Sequence, residues 1–234
     1  MNTAVTSIET LMAHPAPGIV FGPHERAKQP RRAHPSLHSW GAVMSELEHQ
    51  ELIGLTAGVP ELDDLREVYR RSNGVGLFAL KCSRCEDPHW ALCLLPVSEW
   101  TEATASWQPG GDCASFMEEC DLYNHGQWRV IASTADGSTQ LVQFFSGQYR
   151  GEKLAGKIFS IGLGGILGFH EEVAPSLSAL MDEITRDPTA FFDRIGFVWS
   201  VDLGDECFGD PIEHYTLDIG NHPDAMPWPP IRPV

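Results

Sequence analysis

The sharpest chemical arrangement in the chain is Cys82-Ser-Arg-Cys85, followed by His89 and Cys93. Two thiolates at this spacing on a loop supply half of a tetrahedral zinc site. A complete site needs two more ligands from His89, Cys93, Cys113, Cys120 or His125, and there is no second Cys-x-x-Cys. Cys93 also sits inside an apolar run, where it reads more simply as a core residue. Six cysteines in a chain that opens without an export-type leader read as reduced thiols rather than a disulfide framework. The expectation is therefore no cofactor, with a zinc module built on Cys82, Cys85, His89 and Cys93 as an alternative.

Gly162, Gly164, Gly165 and Gly168 follow an apolar strand-like run, which raises the possibility of a dinucleotide loop. That motif needs a helix to begin within the glycines, so that amide N–H groups face the pyrophosphate. Here Glu171 and Glu172 would repel the phosphate and Pro175 delays the helix, so a tight structural turn is the better reading. His170-Glu171-Glu172 lacks the second histidine of a zinc-protease helix, because residue 174 is alanine. There is no Gly-x-Ser-x-Gly elbow and no local cysteine–histidine signature. The seven tryptophans read as core and edge residues rather than a nucleic-acid stacking platform. No catalytic residue is assigned, and the expectation is that the chain is not an enzyme.

The elements that would position any site follow from periodicity. Val43, Met44, Leu47, Leu52 and Leu55 outline a first helix, and Pro60 opens a second. Glu61, Asp63 and Asp64 lie in the first turn of that helix and Arg66, Arg70 and Arg71 towards its end, in line with its dipole. Its stripe is Leu62, Leu65, Val68 and Tyr69, and Asn73-Gly74 ends it. Apolar runs at 76–80 and 91–97 read as paired strands, and 98–107 as a short helix capped by Ser98 or an irregular surface segment. A further helix may be looked for from Ala114. Residues 127–134 and 139–145, joined by Ala135-Asp136-Gly137-Ser138, make the clearest hairpin. Lys157–Ile161 reads as a strand, and Ser176 as the N-cap of a helix with Leu177, Leu180, Met181 and Ile184 on one face. Helices, then strands, then a closing helix give an α+β order with a central, mostly antiparallel sheet. Residues 1–40 read as an irregular, flexible arm, residues 41–210 as the α+β domain, and residues 211–234 as an extended Pro-rich tail.

A net charge of −16 with 42% hydrophobic residues fits a protein with a sizeable core. The charge is uneven: residues 1–40 are net basic and the body is acidic. An acidic body repels phosphate and anionic lipid, so neither nucleic acid nor membrane is an expected partner, whereas a basic protein is. No apolar run approaches the roughly 20 residues of a membrane span, and a cytoplasmic location is expected. Two acidic clusters near loops are the candidate partner-binding residues: Glu118, Glu119 and Asp121, and Asp202, Asp205, Glu206 and Asp210.

Three stretches together resemble the SMI1/KNR4-like (SUKH) superfamily. In LREVYRRSNGVGLFAL (65–80) a helix runs through Asn-Gly into a strand. LLPVSEW (94–100) is similar to the family's Leu-Pro-to-Trp step. The third, IFSIGLGGILGF with APSLSALMDEI, is similar to its late strands and closing helix. Gly110-Gly111-Asp112 matches the family's aromatic–Gly–Asp segment only in part. The resemblance implies a non-enzymatic binding protein. Bacterial members are mostly immunity proteins that neutralise toxins, often nucleases, by direct contact, and eukaryotic members are regulatory scaffolds. The expected function is an immunity protein against a basic toxin, with a regulatory scaffold as the alternative.

Overall fold

The computed structural model describes residues 3–13, 19–23, 31–34, 37–80, 89–114, 120–134, 139–162, 171–195, 200–201, 215–219 and 225–227. At its centre is a seven-stranded antiparallel sheet. In chain order its strands are β3 (Leu37–Ala42), β4 (Asn73–Leu80), β5 (His89–Leu94), β6 (Trp128–Thr134), β7 (Thr139–Phe144), β10 (Ile158–Gly162) and β11 (Glu172–Ala174). They lie side by side in the order β11-β10-β7-β6-β5-β4-β3, so each strand pairs with its neighbour in sequence. Between β7 and β10, β8 (Gln148–Tyr149) and β9 (Glu152–Lys153) form a small separate hairpin.

The helices are α1 (Ala4–Ala13), α2 (Glu46–Thr56), α3 (Asp63–Arg71), α4 (Val97–Ala105), α5 (Leu177–Arg186) and α6 (Pro188–Arg194). The second predicted helix is α3, preceded by a 3₁₀ turn at Pro60–Leu62, and Leu62, Leu65, Val68 and Tyr69 are all fully buried. Gly74, at φ +99°, takes the left-handed conformation that turns this helix into β4. Ser176 caps α5 by accepting from the Ala179 backbone N–H at 3.1 Å, and Leu177, Leu180, Met181 and Ile184 are fully buried. Burying each such side chain contributes about 1.5–3 kcal/mol before chain entropy is counted.

Ile158 to Ile161 are buried without alternation, so β10 is covered on both faces. On one face the Phe159 ring meets Phe144, which stacks on Tyr123 from the 3₁₀ segment Asp121–His125. On the other, Phe145 meets Trp100 of α4, and Trp100 meets Tyr69 of α3.

Three expectations need correction. Residues 1–40 are not uniformly irregular. Ala4, Ile8 and Leu11 recur at helical spacing over one short helix, and α1 buries them against α3 and α5. The Ala4 N–H donates to Ser178 Oγ at 3.0 Å, tying the start of the chain to the closing helix. Further on, β1 (Ile19–Pro23) and β2 (Arg31–His34) join β12 (Ser200–Val201), β13 (Tyr215–Ile219) and β14 (Ala225–Pro227) in a second sheet, ordered β12-β13-β1-β2-β14. Ser98 does not cap α4, which begins at Val97, because the side chain of Asn73 takes up the Val97 N–H instead. The first predicted helix is also shorter than its apolar residues outline. That helix starts at Glu46, and of the five residues only Leu52 is fully packed, while Val43 and Leu47 face solvent. The turn at 135–138, residues 115–119 and Gly164, Gly165 and Gly168 lie outside the described residues.

Candidate partner-docking face

Ser45 starts α2 with a reciprocal capping box. Its hydroxyl accepts from the Glu48 N–H at 3.3 Å, and its own N–H donates to Glu48 Oε2 at 2.8 Å. Asn73, which follows α3, then joins two helices. Its Nδ2 donates to Glu48 Oε1 at 2.7 Å, and its Oδ1 accepts from the Val97 N–H at 2.9 Å. One nearly buried amide thus holds the N-termini of α2 and α4 together, satisfying a helix-start N–H that would otherwise lack an acceptor. The inner side of α4 is pinned more firmly. Trp100 Nε1 and Tyr69 Oη both donate to the Leu95 carbonyl, at 3.1 and 2.6 Å, and the Val130 N–H donates to Thr104 Oγ1 at 3.0 Å.

What these contacts leave outward is a rigid face of mixed character. Val43 and Leu47 are 89% and 78% exposed, and Ile53 is 47% exposed. The same two helices carry Glu46, Glu48 and Glu51 on α2 and Glu99 and Glu102 on α4. Acids in the first turn of each helix are favoured by its dipole, which accounts for Glu46, Glu48 and Glu99. Among the described residues none of the five has an ion-pair partner. Gln50 Nε2 donates to Glu46 and Thr101 Oγ1 to Glu51, and neither neutralises charge. The hydrogen bonds from Ser45 hold the Glu48 carboxyl down from 4.5 to about 2, with Ser98 and Asn73 acting in the same sense. This face therefore stays charged down to acid pH at Glu48.

Several acids elsewhere do have cationic partners. Arg66 pairs with Asp63, Arg71 with Glu9, Lys153 with Glu61, and Arg194 with Glu183 through two bonds of 3.1 and 2.7 Å. Lys157 sits between Glu152 and Glu172 at 3.0 and 2.8 Å, and both bonds raise its pKa.

The sequence-predicted residues are not brought into a single site. Cys82, Cys85, Glu118, Glu119, Asp202, Asp205, Glu206 and Asp210 lie outside the described residues. His89 opens β5 opposite Leu80 in the backbone register. Cys93 is half-buried in β5; burial, and secondarily Glu99, pushes its thiol up to about 11, so it stays protonated at neutral pH. Among the described residues no three histidines, cysteines or carboxylates converge as a metal site would require. Asp121 is exposed and engaged by His125 Nε2 at 3.0 Å, which lowers its pKa. The sequence did hold a signal for the α2–α4 face: there is no lysine or arginine between Arg32 and Arg66, nor between Arg84 and Arg129.

No family model, curated protein or solved structure matches this chain. Among the described residues no helix is long and apolar enough to cross a membrane.

Proposed function

We propose that the chain is an immunity-type protein that binds a basic bacterial toxin by direct contact and blocks it, using the α2–α4 face. The observation that supports this reading is that α2 and α4, joined through Asn73, carry five carboxylates with no cationic partner among the described residues, while α2 and the segment before it expose Leu47, Ile53 and Val43. Uncompensated acids speed encounter with a basic surface and discriminate against acidic ones. The apolar residues give the contact a centre from which water can be excluded. A toxin that grips phosphate presents the complementary cationic cleft. The resemblance of residues 65–80, 94–100 and 158–184 to SMI1/KNR4-like proteins leans the same way.

Co-expression with the toxin encoded beside this chain tests the proposal. Protection of the cells is expected, together with a complex on gel filtration that weakens as salt is raised. Leu47→Asp with Glu99→Lys and Glu102→Lys should abolish both while circular dichroism remains unchanged. Unprotected cells with no complex would sink the reading, and so would full protection by the triple variant.

A further inference from the structure

A cleft of about 520 Å³ opens beside the start of β6. Its apolar wall is aromatic: Trp107, Tyr123 and Trp128 line it and each is nearly buried. Both indole N–H groups are already used, Trp107 Nε1 towards Gln140 Oε1 at 2.7 Å and Trp128 Nε1 towards the Tyr123 carbonyl at 3.1 Å. The tryptophans therefore offer ring carbon to the cleft rather than donors. Asn124 and Gln127, both exposed, supply amide groups at the rim.

Arg129 completes the lining. Its guanidinium makes one hydrogen bond to protein, from Nη1 to the Trp128 carbonyl at 2.8 Å, and its Nε is buried without an acceptor. Among the described residues no carboxylate pairs with it, in a chain with 32 aspartates and glutamates. Arg66, Arg71 and Arg194 each take one. A partly buried guanidinium left short of acceptors is costly unless something else supplies them.

We infer that this cleft binds a small planar carboxylate, its ring against the aromatic wall of Trp107, Tyr123 and Trp128 and its carboxylate on the Arg129 guanidinium. The cleft's size is within the usual range of small-molecule sites, and Gln108, Asn124, Gln127 and Arg129 set polar groups beside its aromatic wall. A fork of N–H donors suits two carboxylate oxygens. The strongly acidic chain repels a dianion more than a monoanion, which favours carboxylate over phosphate.

The test is titration of the full chain with indole-3-acetate, with tryptophol as its neutral counterpart and inorganic phosphate as the competing anion, followed by NMR of the tryptophan indole N–H signals. Saturable shifts with indole-3-acetate are expected, with tryptophol at least about tenfold weaker, a difference of about 1.4 kcal/mol. Arg129→Gln should weaken indole-3-acetate by a similar factor, and Arg129→Lys by less, since it keeps charge without the fork. No saturation by about 10 mM indole-3-acetate, equal binding of tryptophol, equal or tighter binding of phosphate, or an unaffected Arg129→Gln protein would each overturn the proposal. If Arg129→Gln fails to fold, the comparison of the three probes on the unaltered chain still decides it.

Discussion

The α1–α3–α5 side of the molecule and the α2–α4 face are built from similar residue types and put them to opposite use. On the first side, Ile8, Leu65, Leu180 and Ile184 are fully buried, and Glu9, Asp63 and Glu183 each have an arginine. On the second, Leu47 and Val43 are in solvent and the glutamates have no cation among the described residues. The first arrangement packs its apolar residues inward and pairs these three acids with cations. The second is anchored by interior contacts yet leaves apolar and charged groups unmatched at the surface among the described residues, which is the feature on which the proposed docking role rests.

The contrast can be broken most sharply in the core. Leu65→Ala or Leu180→Ala should cost about 2–5 kcal/mol by chemical denaturation, whereas Leu47→Ala should stay within about 0.5 kcal/mol. Equal losses at the three positions would mean that α2 packs inward after all. Asn73→Ala comes next. It removes the acceptor of the Val97 N–H and the donor to Glu48 together, and a loss of about 1–3 kcal/mol is expected. That variant should also weaken toxin binding, because it frees α2 from α4.

Charge neutralisation separates the two regions at smaller scale. Glu183→Gln disrupts a part-buried, two-bond pair with Arg194 and should cost about 1 kcal/mol, while Glu99→Gln should be neutral or slightly stabilising. The smallest effect is in pH. The folded-state pKa of Glu48 lies below its unfolded value, so its contribution is fully present above pH 4.5 and is lost as pH falls towards about 2. Urea unfolding between pH 5 and pH 2 should therefore show a shallower acid loss for Glu48→Gln than for the unaltered chain. Parallel curves would mean that the capping box does not hold Glu48 in solution.

The strong local signals in the sequence carry most of the fold. Ser176 with its stripe, the helix before Asn73-Gly74, and the hairpin of β6 and β7 are each fixed by contacts a few residues apart, and such patterns are legible without tertiary context. The α1 helix was not, because three apolar residues over ten positions acquire meaning only when α3, and more than 160 residues later α5, supply the surface they cover. The α2–α4 face was hidden for the complementary reason. Leu47 and Leu52 look alike in one dimension, and only the packing of α2 against α3 and α4 decides which is buried. Asn73 read as a helix stop, and its bonds to Glu48 and Val97 depend on residues 25 and 24 positions away.

The bond between the Ala4 N–H and Ser178 Oγ spans 174 residues, and it sets a clock on the nascent chain. At about 5–20 residues per second, a ribosome needs on the order of 10–35 s to deliver Ser178 after Ala4. During that interval α1 has α3 to pack on but not α5, so its burial is completed only after Ser178 has been made.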